Sequence, residues 1–363
     1  MRIAFLTYNL NITDGSGRFS HDLFESLRKE SVAVTIIAAE NRQPLFNFFK
    51  IRKIFKDSDI IHAIDIWPNG FYARLISFGL KKPIVITALG TYSVAPFYLH
   101  TKNFGVGVYS WRRFIMKWVS NGVQIVAISD YTKEKILEIM PSVDIKVIYP
   151  GFDLDFWSGG TIKDTIEVQP RYEKLKPYIL SVGALKPRKG YHNSIRAFGI
   201  VAKKFENLNY IIIGQSEESD YARKLKDIVK ENKLEKRVFF VSNGIDDARL
   251  LGFYRNAELF VLTPVEENNH FEGFGIVYLE AAASNLPIIA AYKSGATSAV
   301  LGGYNGLLVD QNDLESTANA ILKILENTEF KTELSNNSRE WVKNFSWEKI
   351  IKQYIEIYNA KHY

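Results

Sequence analysis

Short apolar runs alternate with amphipathic stretches along most of the chain. The runs are three to seven residues long and rich in β-branched residues, which is typical of buried strands. The predicted strands are residues 3–8, 32–38, 60–64, 84–88, 124–128 and 145–148 in the first half, and 178–182, 210–213, 238–241, 259–262, 288–291 and 307–309 in the second. Unbroken apolar strands separated by helices predict parallel sheets that are covered on both faces.

The stretches between the strands have a helical period. Phe19, Leu23 and Leu27, for example, recur every four residues and therefore share one face of a helix. Three further helical patterns, 312–326, 330–343 and 347–358, follow the last predicted strand. The predicted fold class is therefore α/β, with two doubly wound, Rossmann-like units in tandem.

The length of the chain favours two domains, because 363 residues exceed the size to which one hydrophobic core usually grows. Residues 156–177 contain Ser-Gly-Gly, two prolines and scattered charge without a sustained period, and are the predicted linker. The predicted domains are residues 1–160 and 172–345. Ligands of such sheets bind outside the carboxyl ends of the strands, so two domains that face each other are expected to form one cleft.

Composition excludes several kinds of chemistry. The chain contains no cysteine, so disulfides, thiol nucleophiles and cysteine metal ligands are ruled out. The apolar run at the N-terminus is too short for the core of a signal peptide, and no run approaches the eighteen or so apolar residues of a membrane span. We therefore expect a cytoplasmic protein, with any attachment to the inner face of the cell membrane being peripheral.

Positive charge is concentrated in the first half, where residues 40–118 contain 12 Lys and Arg against four Asp and Glu. Two segments, 44–56 and 109–118, combine cations with large aromatic residues, as helices that lie on anionic lipid do. The alternative is that the aromatic faces cover the sheet while Lys and Arg extend into solvent. Nucleic acid is not an expected partner, because the aromatic residues form no recognisable base-stacking module.

The segment with the clearest chemistry spans residues 264–283. A polar loop follows a predicted strand, two glycines allow the main chain to approach a ligand, and a helix is predicted to begin near Gly275. Unpaired amides at a helix start attract anions and sugar oxygens. Glu272 precedes this helix and Glu280 lies just inside it. Both are equally explained as solvated glutamates that the helix dipole favours.

Seven residues separate Glu272 from Glu280, and the sequence Glu-Gly-Phe-Gly leads into Glu-Ala, which resembles the signature of glycosyltransferase family 4. Residues 181–190 resemble the phosphate-binding loop of that family, 148–153 its interdomain segment and 345–348 its closing helix. The resemblance implies the GT-B fold, in which two Rossmann-like domains face each other across a cleft. It implies a first domain that binds the acceptor, a second that binds the sugar nucleotide, and a last helix, 346–363, that crosses back to the first.

The resemblance also implies roles for individual residues. Glu280 would hold the ribose hydroxyls of the nucleotide, because a carboxylate accepts hydrogen bonds from two neighbouring hydroxyls. Glu272 and the amides around Phe274 and Gly275 would bind the hydroxyls of the donor sugar. The remaining donor contacts that the resemblance implies are Gly17, Gly183, Gly273 and Ile276.

Two cations of the phosphate-binding loop, Arg188 and Lys189, would neutralise the diphosphate. Negative charge grows on this leaving group as the glycosidic bond breaks, so cations placed there stabilise the transition state more than the ground state. The implied catalytic residues are therefore Glu272, Lys189 and Arg188. The loop departs from the family at Ala184, where an arginine is common, and Arg188 is expected to compensate.

The first half departs from the family after the fourth strand, where Leu89 replaces a common histidine. The side chain of Leu89 cannot form hydrogen bonds, so that role is lost or is met by another residue. The residues expected near the acceptor or the sugar are Gly15, His62, Gly90 and Thr91. His62 is equally explained as a packed histidine with satisfied hydrogen bonds.

Two Asp-x-Asp pairs, Asp57 with Asp59 and Asp153 with Asp155, imitate a metal-binding motif. Neither pair has further carboxylates nearby in the sequence, as a cage for a hard cation would need. We expect no metal and no other cofactor, since the sugar nucleotide would be a substrate.

The expected function is retaining transfer of a hexosyl unit from a UDP- or GDP-sugar to a glycan, lipid-linked or small-molecule acceptor, as in polysaccharide or glycolipid biosynthesis. Retention is implied by the resemblance alone. A double displacement would need a carboxylate on the far face of the sugar, and none is evident, so departure and attack on one face are expected. Two alternatives stay open: a sugar-nucleotide epimerase, and a non-catalytic or partner-dependent subunit, which Ala184 and Leu89 would suit.

Overall fold

The structure is a computed structural model that describes residues 1–38, 47–94, 114–159, 170–215, 219–241, 245–267 and 270–362. The chain divides into two compact units. The first consists of Met1–Gly151 and Phe345–Tyr363, and the second of Phe152–Asn344. Each unit contains one six-stranded sheet. The predicted α/β class with two parallel sheets is confirmed.

The first unit contains a sheet of six parallel strands. They are β1 Arg2–Thr7, β2 Ala33–Ala38, β3 Ile60–Ile64, β4 Ile84–Ala88, β5 Gln124–Ala127 and β6 Ile145–Val147. Their order across the sheet is β2-β1-β3-β4-β5-β6. Strands β3, β4 and β5 are buried at every position, which explains why these runs are almost uniformly apolar.

Helices connect these strands on both faces of the sheet. They are α1 Gly15–Lys29, α2 Phe48–Asp57, α3 Phe71–Ile76, α4 Thr91–Val94, α5 at residues 114–120 and α6 Asp130–Ile139. The side chain of Asp14 caps α1 by accepting a hydrogen bond from the Gly17 amide at 2.7 Å, and Phe19, Leu23 and Leu27 are buried as their spacing predicts. The connections through α1 and α2 run in opposite directions along the sheet, so right-handed crossovers place these helices on opposite faces.

The second unit repeats the scheme with six parallel strands. They are β7 Tyr178–Val182, β8 Asn209–Ile213, β9 Val238–Val241, β10 Phe260–Val261, β11 Ile288–Ala291 and β12 Gly306–Val309, in the order β12-β11-β10-β7-β8-β9. Every predicted strand of the two units is present, with each end within one residue of the expected position.

The helices of the second unit lie between and after its strands. They are α7 Leu154–Trp157, α8 Pro170–Glu173, α9 Tyr191–Val201, α10 Asp220–Glu231, α11 Asp247–Arg255, α12 Val277–Ala283, α13 Ala296–Ala299, α14 Leu314–Glu326 and α15 Thr328–Trp341. Among the helices within the described residues, none combines the length and the apolar character that crossing a bilayer requires.

The last helix, α16 Trp347–His362, belongs to the first unit, as expected. The hydroxyl of Tyr354 lies 3.2 Å from the Thr87 hydroxyl on β4, and the hydroxyl of Tyr358 lies 2.7 Å from Nδ1 of His62 on β3. All four side chains are buried. The helix therefore completes the hydrogen bonding of polar groups inside the first sheet.

The two units divide at Gly151, whereas the sequence pattern grouped residues up to 160 with the first domain. Trp157, on α7, explains why residues 152–159 lie in the second unit. Its ring packs against Phe152 at 6.1 Å and against Tyr254 on α11 at 5.8 Å between centroids. Residues 160–169 of the predicted linker lie outside the described residues.

We predict that Gly151→Ala destabilises the first unit. A Cβ at this position would lie 2.1 Å from the ring of Trp347, which also packs against Phe19 of α1. The added methyl group must displace the start of α16, and overpacking of this kind costs about 1–3 kcal/mol. Thermal and denaturant unfolding of the whole chain measures the change.

Gly199→Ala on α9 is the matched control for that substitution. Its Cβ would meet nothing closer than 3.4 Å, and alanine in a helix interior is favoured over glycine. An equal loss of stability in both variants would show that the Trp347 contact is not the cause.

Candidate functional site

The strand order of the second sheet reverses between β7 and β10, which are hydrogen-bonded neighbours at its centre. From β7 the chain proceeds outward through β8 and β9, and from β10 it proceeds in the other direction through β11 and β12. Such a switch point leaves a crevice outside the carboxyl ends of the two central strands, where ligands of open α/β sheets bind. The loops that follow β7 and β10 therefore form the candidate site.

The loop after β7 turns back onto the segment that follows β10. Gly183 and Gly190 have φ angles of 144° and 73°, which favour glycine, and Pro187–Lys189 form a single 3₁₀ turn between them. The carbonyl oxygen of Arg188 accepts a hydrogen bond from the Val265 amide at 2.9 Å. A Cβ at Gly190 would lie 1.9 Å from the main-chain oxygen of Thr263. Only glycine therefore allows this close approach of the two loops.

This approach brings the three predicted catalytic side chains together. The Glu272 carboxylate oxygen Oε2 lies 2.6 Å from Nη1 of Arg188 and 2.6 Å from Nζ of Lys189. Lys189 and Glu272 are each only 7% exposed, whereas Arg188 is partly exposed. We refer to Arg188, Lys189 and Glu272 as the ion cluster. Gly183 borders it, since a Cβ there would lie 3.6 Å from Nζ of Lys189.

The electrostatics of the ion cluster follow from its burial. Burial alone would raise the pKa of Glu272, but the charges of Lys189 and Arg188 outweigh it and hold the pKa at about 2. Burial lowers the pKa of the Lys189 ammonium, although the adjacent Glu272 carboxylate opposes the change. A buried cation with only part of its charge compensated is suited to receive an anionic ligand.

The glycine turn of the signature packs tightly around Glu272. Gly275 has a φ of 86°, and a Cβ there would lie 2.5 Å from the ring of Tyr278. The Gly295 amide donates to the carbonyl of Glu272 at 2.8 Å. The predicted donor contacts Gly273, Phe274 and Ile276 therefore belong to the same turn, ahead of α12, and the main chain of Glu272 is fixed from two sides.

Glu280 is buried on α12 and is held by a residue that no sequence motif indicated. The Tyr254 hydroxyl donates to Oε2 of Glu280 at 2.8 Å. The ring of Tyr254 is fully buried between Trp157 and Phe260, at centroid distances of 5.8 and 5.7 Å. Tyr254 therefore contributes to the orientation of this carboxylate.

Thr263 is a second residue that the motifs did not indicate. It lies two residues beyond the central strand β10, after Leu262, and is 3% exposed. Its hydroxyl has no hydrogen-bond partner within the part of the chain that the structure describes. A buried hydroxyl of this kind usually has a partner, so its position beside the phosphate-loop glycine Gly190 is consistent with a ligand-binding edge.

The first sheet has a switch point of its own between β1 and β3. Gly15 and Gly17 open α1 after β1, and Gly90 and Thr91 follow β4. A Cβ at Gly17 would lie 2.2 Å from the side-chain oxygen of Asn9, so close packing by itself already requires glycine here.

His62 is a packed histidine in the middle of β3 and does not lie at a strand end. It is fully buried, Nε2 lies 2.9 Å from the Thr87 hydroxyl, and Nδ1 lies 2.7 Å from the Tyr358 hydroxyl. Burial lowers the pKa of His62 to about 3, so the ring is neutral. A substrate cannot reach it, and the structure supports the second of the two interpretations offered above.

A buried carboxylate, which the sequence did not indicate, holds the main chain of Leu89. Oδ1 of Asp65 accepts hydrogen bonds from the Leu89 amide at 2.8 Å and from the Ser93 hydroxyl at 2.7 Å. Burial raises the pKa of Asp65 to about 6, against the opposing effect of these hydrogen bonds. The turn after β4 is thus fixed through the main chain of Leu89.

The two Asp-x-Asp pairs have structural partners. Oδ2 of Asp59 accepts from the Arg2 amide at 2.7 Å, and Oδ1 of Asp153 caps α7 by accepting from the Phe156 amide at 3.1 Å. Within the described residues, no group of three or more His, Cys, Asp or Glu side chains is arranged to hold a metal ion.

Two family models match the chain. The model described as "Glycosyl transferases group 1" matches residues 162–341, which include the ion cluster. The model described as "Glycosyltransferase Family 4" matches residues 28–156. The two matched ranges do not overlap and correspond broadly to the second and first units.

Curated relatives are similar along most of the chain. A glycosyltransferase of Methanocaldococcus jannaschii is 28% identical over 86% of this chain and 80% of its own length. The D-inositol 3-phosphate glycosyltransferase of Corynebacterium glutamicum is 25% identical over 93% of this chain and 79% of its own. A GDP-mannose-dependent phosphatidylinositol monomannoside mannosyltransferase of Mycobacterium tuberculosis is 25% identical over 63% of this chain and 60% of its own.

Solved structures share the fold. The Anabaena protein HepE in complex with UDP matches with a TM-score of 0.78 and 20% identity, covering 99% of this chain and 100% of that one. The sucrose-phosphate synthase of Thermosynechococcus elongatus matches with a TM-score of 0.77 and 20% identity, covering 99% of each chain. These matches show the GT-B fold, as the sequence predicted.

We predict that Glu272→Gln destabilises the protein at neutral pH by about 3 kcal/mol, because it leaves the buried Lys189 ammonium without a countercharge. Glu340→Gln is the matched control. Its partner Lys343 and Glu340 itself are exposed, and removing such a pair costs less than about 1 kcal/mol. Denaturant unfolding at pH 7 measures both variants, and equal effects would contradict the buried pairing.

The same substitution has a predicted pH dependence. The folded pKa of Glu272, about 2, lies below the ordinary value of 4.5, so the stabilisation is complete above pH 4.5 and is lost as the pH falls toward 2. The stability difference between the natural chain and Glu272→Gln should therefore shrink across this window. The other carboxylates titrate in both chains, so their contributions to the stability difference cancel. A difference that stays constant from pH 7 to pH 3 would contradict the assignment.

Proposed function

Because the chain belongs to the group 1 glycosyl transferases of glycosyltransferase family 4, and is thus a glycosyltransferase, we propose that it transfers a hexosyl unit from a UDP- or GDP-sugar. The acceptor would be a glycan, a lipid-linked glycan or a small molecule. Relatives support this range of donors, since HepE structures contain UDP and UDP-glucose and one relative is named as GDP-mannose-dependent.

The observation that carries the proposal is the ion cluster at the switch point of the second sheet. Arg188 and Lys189 supply two positive charges outside the carboxyl ends of the central strands, where a diphosphate would bind. Glu272 compensates part of this charge before a ligand arrives. The donor diphosphate would add its negative charge to the cations, and the carboxylate would then accept hydrogen bonds from the sugar hydroxyls.

The same cations would assist the reaction itself. Charge accumulates on the diphosphate as the anomeric carbon–oxygen bond lengthens, and cations already in place stabilise that charge without reorganisation. Their burial strengthens this effect, because the local dielectric is lower than in water. No proton transfer to the leaving group would be needed.

We further propose that the anomeric configuration is retained by departure and attack on the same face of the sugar. A double displacement through Glu272 is disfavoured by the structure of its carboxylate. Oε2, the oxygen that would attack, is already held by two cations at 2.6 Å. The stereochemistry of the product, followed by NMR during turnover, tests this part of the proposal.

Glu280 would hold the ribose of the nucleotide, with Tyr254 as its positioning residue. A carboxylate offers about four acceptor sites, so the hydrogen bond from Tyr254 orients the group without exhausting its capacity for a diol. Ribose has two adjacent hydroxyls, whereas 2′-deoxyribose has only one of them. Glu280 and Tyr254 would therefore make binding depend on the 2′-hydroxyl.

The decisive experiment is a panel of UDP- and GDP-sugars. A donor that binds is expected to raise the melting temperature of the protein, since ligand binding to the folded state stabilises it by mass action. Slow hydrolysis of that donor, and transfer once an acceptor is added, would support the proposal. Conversion of donor to its epimer without acceptor would support the epimerase alternative, and absence of binding and turnover would support a non-catalytic subunit.

Lys189→Met is predicted to reduce kcat/KM for donor hydrolysis about 100-fold, because one preorganised cation of the diphosphate site is lost while the volume of the side chain is kept. Lys186→Met is the matched control. It removes a cation from the same loop, but one that is exposed, and is expected to change kcat/KM less than about threefold. Equal losses would show that general charge, and not the ion cluster, attracts the donor.

Tyr254→Phe is predicted to weaken binding of the nucleoside diphosphate about tenfold, as expected for loss of one hydrogen bond to a carboxylate. Binding of the 2′-deoxy nucleotide should change much less. The ratio of the affinity for the nucleoside diphosphate to the affinity for its 2′-deoxy form therefore falls. Tyr178→Phe removes a similar buried hydroxyl, which donates to the Phe253 carbonyl at 2.9 Å, and controls for lost stability. An unchanged ratio in Tyr254→Phe would contradict the positioning role.

A further inference from the structure

The two most exposed large apolar side chains among the described residues belong to the first unit. Phe49, in the first turn of α2, is 85% exposed, and Phe78, in the turn between α3 and β4, is 75% exposed. The core does not need either ring, because α2 is anchored on its other side by Ile51 and Phe55, which are 4% and 0% exposed. Contact between so much apolar surface and water is unfavourable in free energy, unless another surface covers the rings.

Arg52 joins α2 to the turn that contains Phe78. Its Nη1 donates to the carbonyl of Ile76 at 2.6 Å and to the carbonyl of Phe78 at 2.9 Å. A second link is formed by Lys82, whose Nζ donates to the Ser58 carbonyl at 2.7 Å. These two cations therefore serve the fold, and they hold the Phe78 turn against α2.

The exposed cations of α2 and of the turn before β4 are Lys50, Lys53, Lys56 and Lys81. Together with Phe49 and Phe78 they define what we call the α2 surface. Within residues 48–57 and 71–83 the sequence has seven Lys and Arg and one acidic residue, Asp57. Exposed lysines on the same helix and turn as exposed aromatic rings suit a partner surface that carries negative charge over an apolar interior.

We propose that the α2 surface binds the anionic face of a lipid bilayer. The phenyl rings would enter the boundary between headgroups and acyl chains, while the lysines contact lipid phosphates. Ile51 and Phe55 remain in the protein core, so the helix lies on the lipid and keeps its place on the sheet. The proposal gives the protein a location and does not depend on which reaction it catalyses.

The structure also revises which side chains contribute. Arg52 lies in the basic stretch 44–56 that the sequence pattern indicated, but its guanidinium is bonded to main-chain carbonyls and is not part of the surface. Phe78 lies outside both indicated segments. Residues 44–46 and 109–113 lie outside the described residues, and the α2 surface includes none of them.

The test is cosedimentation of the full chain with phosphatidylcholine vesicles that contain about 30% phosphatidylglycerol, compared with pure phosphatidylcholine. The natural chain is expected to bind the anionic vesicles at least tenfold more strongly, and less strongly as salt is raised. The double substitutions Phe49→Ser with Phe78→Ser and Lys50→Glu with Lys53→Glu should each reduce binding at least tenfold. Circular dichroism and melting confirm that the variants are folded.

Lys226→Glu with Lys230→Glu is the matched control. Both lysines are exposed on α10 of the second unit, so this pair makes the same change in net charge at another place. It is expected to leave vesicle binding within about twofold. The proposal is overturned if the natural chain does not bind anionic vesicles, binds neutral ones equally, or loses as much binding in the control. Binding to nucleic acid but not to vesicles would likewise overturn it.

Discussion

The buried carboxylate of Glu272 must have charged partners, and this requirement determines the arrangement at the centre of the second unit. An ionised group deep in a protein is costly unless charged partners surround it, so the position of Glu272 requires Arg188 and Lys189. Those cations reach it only because the loop after β7 turns back at Gly190 and lies directly on Thr263. The ion pairs that compensate the charge of Glu272 therefore also place two positive charges at the switch point of the sheet.

Much of the fold follows from local patterns in the sequence. The strands were predicted to within one residue, because runs buried on both faces cannot tolerate polar side chains and end where glycine or polar residues begin. The residues of the ion cluster were assigned to one site although Arg188 and Glu272 are 84 positions apart. The order of the strands could not be read from the sequence, so it could not supply that assignment. The assignment came from the resemblance of Lys189 and its neighbours to a known phosphate loop.

Contacts between distant side chains were not predictable in the same way. Helical spacing places Glu280 on a face of α12 but does not reveal that Tyr254 of α11 donates to it. The basic character of the 44–56 stretch gives no sign that Arg52 bonds to main-chain carbonyls. The sequence left two interpretations of His62 open, because it does not reveal that Thr87 of β4 and Tyr358 of α16 meet both ring nitrogens. Such features depend on which elements pack together, and a single sequence records that only indirectly.

The final helix has a consequence for the order in which the protein is made. The first unit is discontinuous, since α16 belongs to it while residues 152–344 form the second unit. Tyr354 and Tyr358 of α16 supply the hydroxyl groups that meet Thr87 and His62 inside the first sheet. During synthesis on the ribosome, the second unit is therefore complete before the first can close. Until Phe345–Tyr363 emerge, the growing chain carries an unfinished sheet whose interior is open to water.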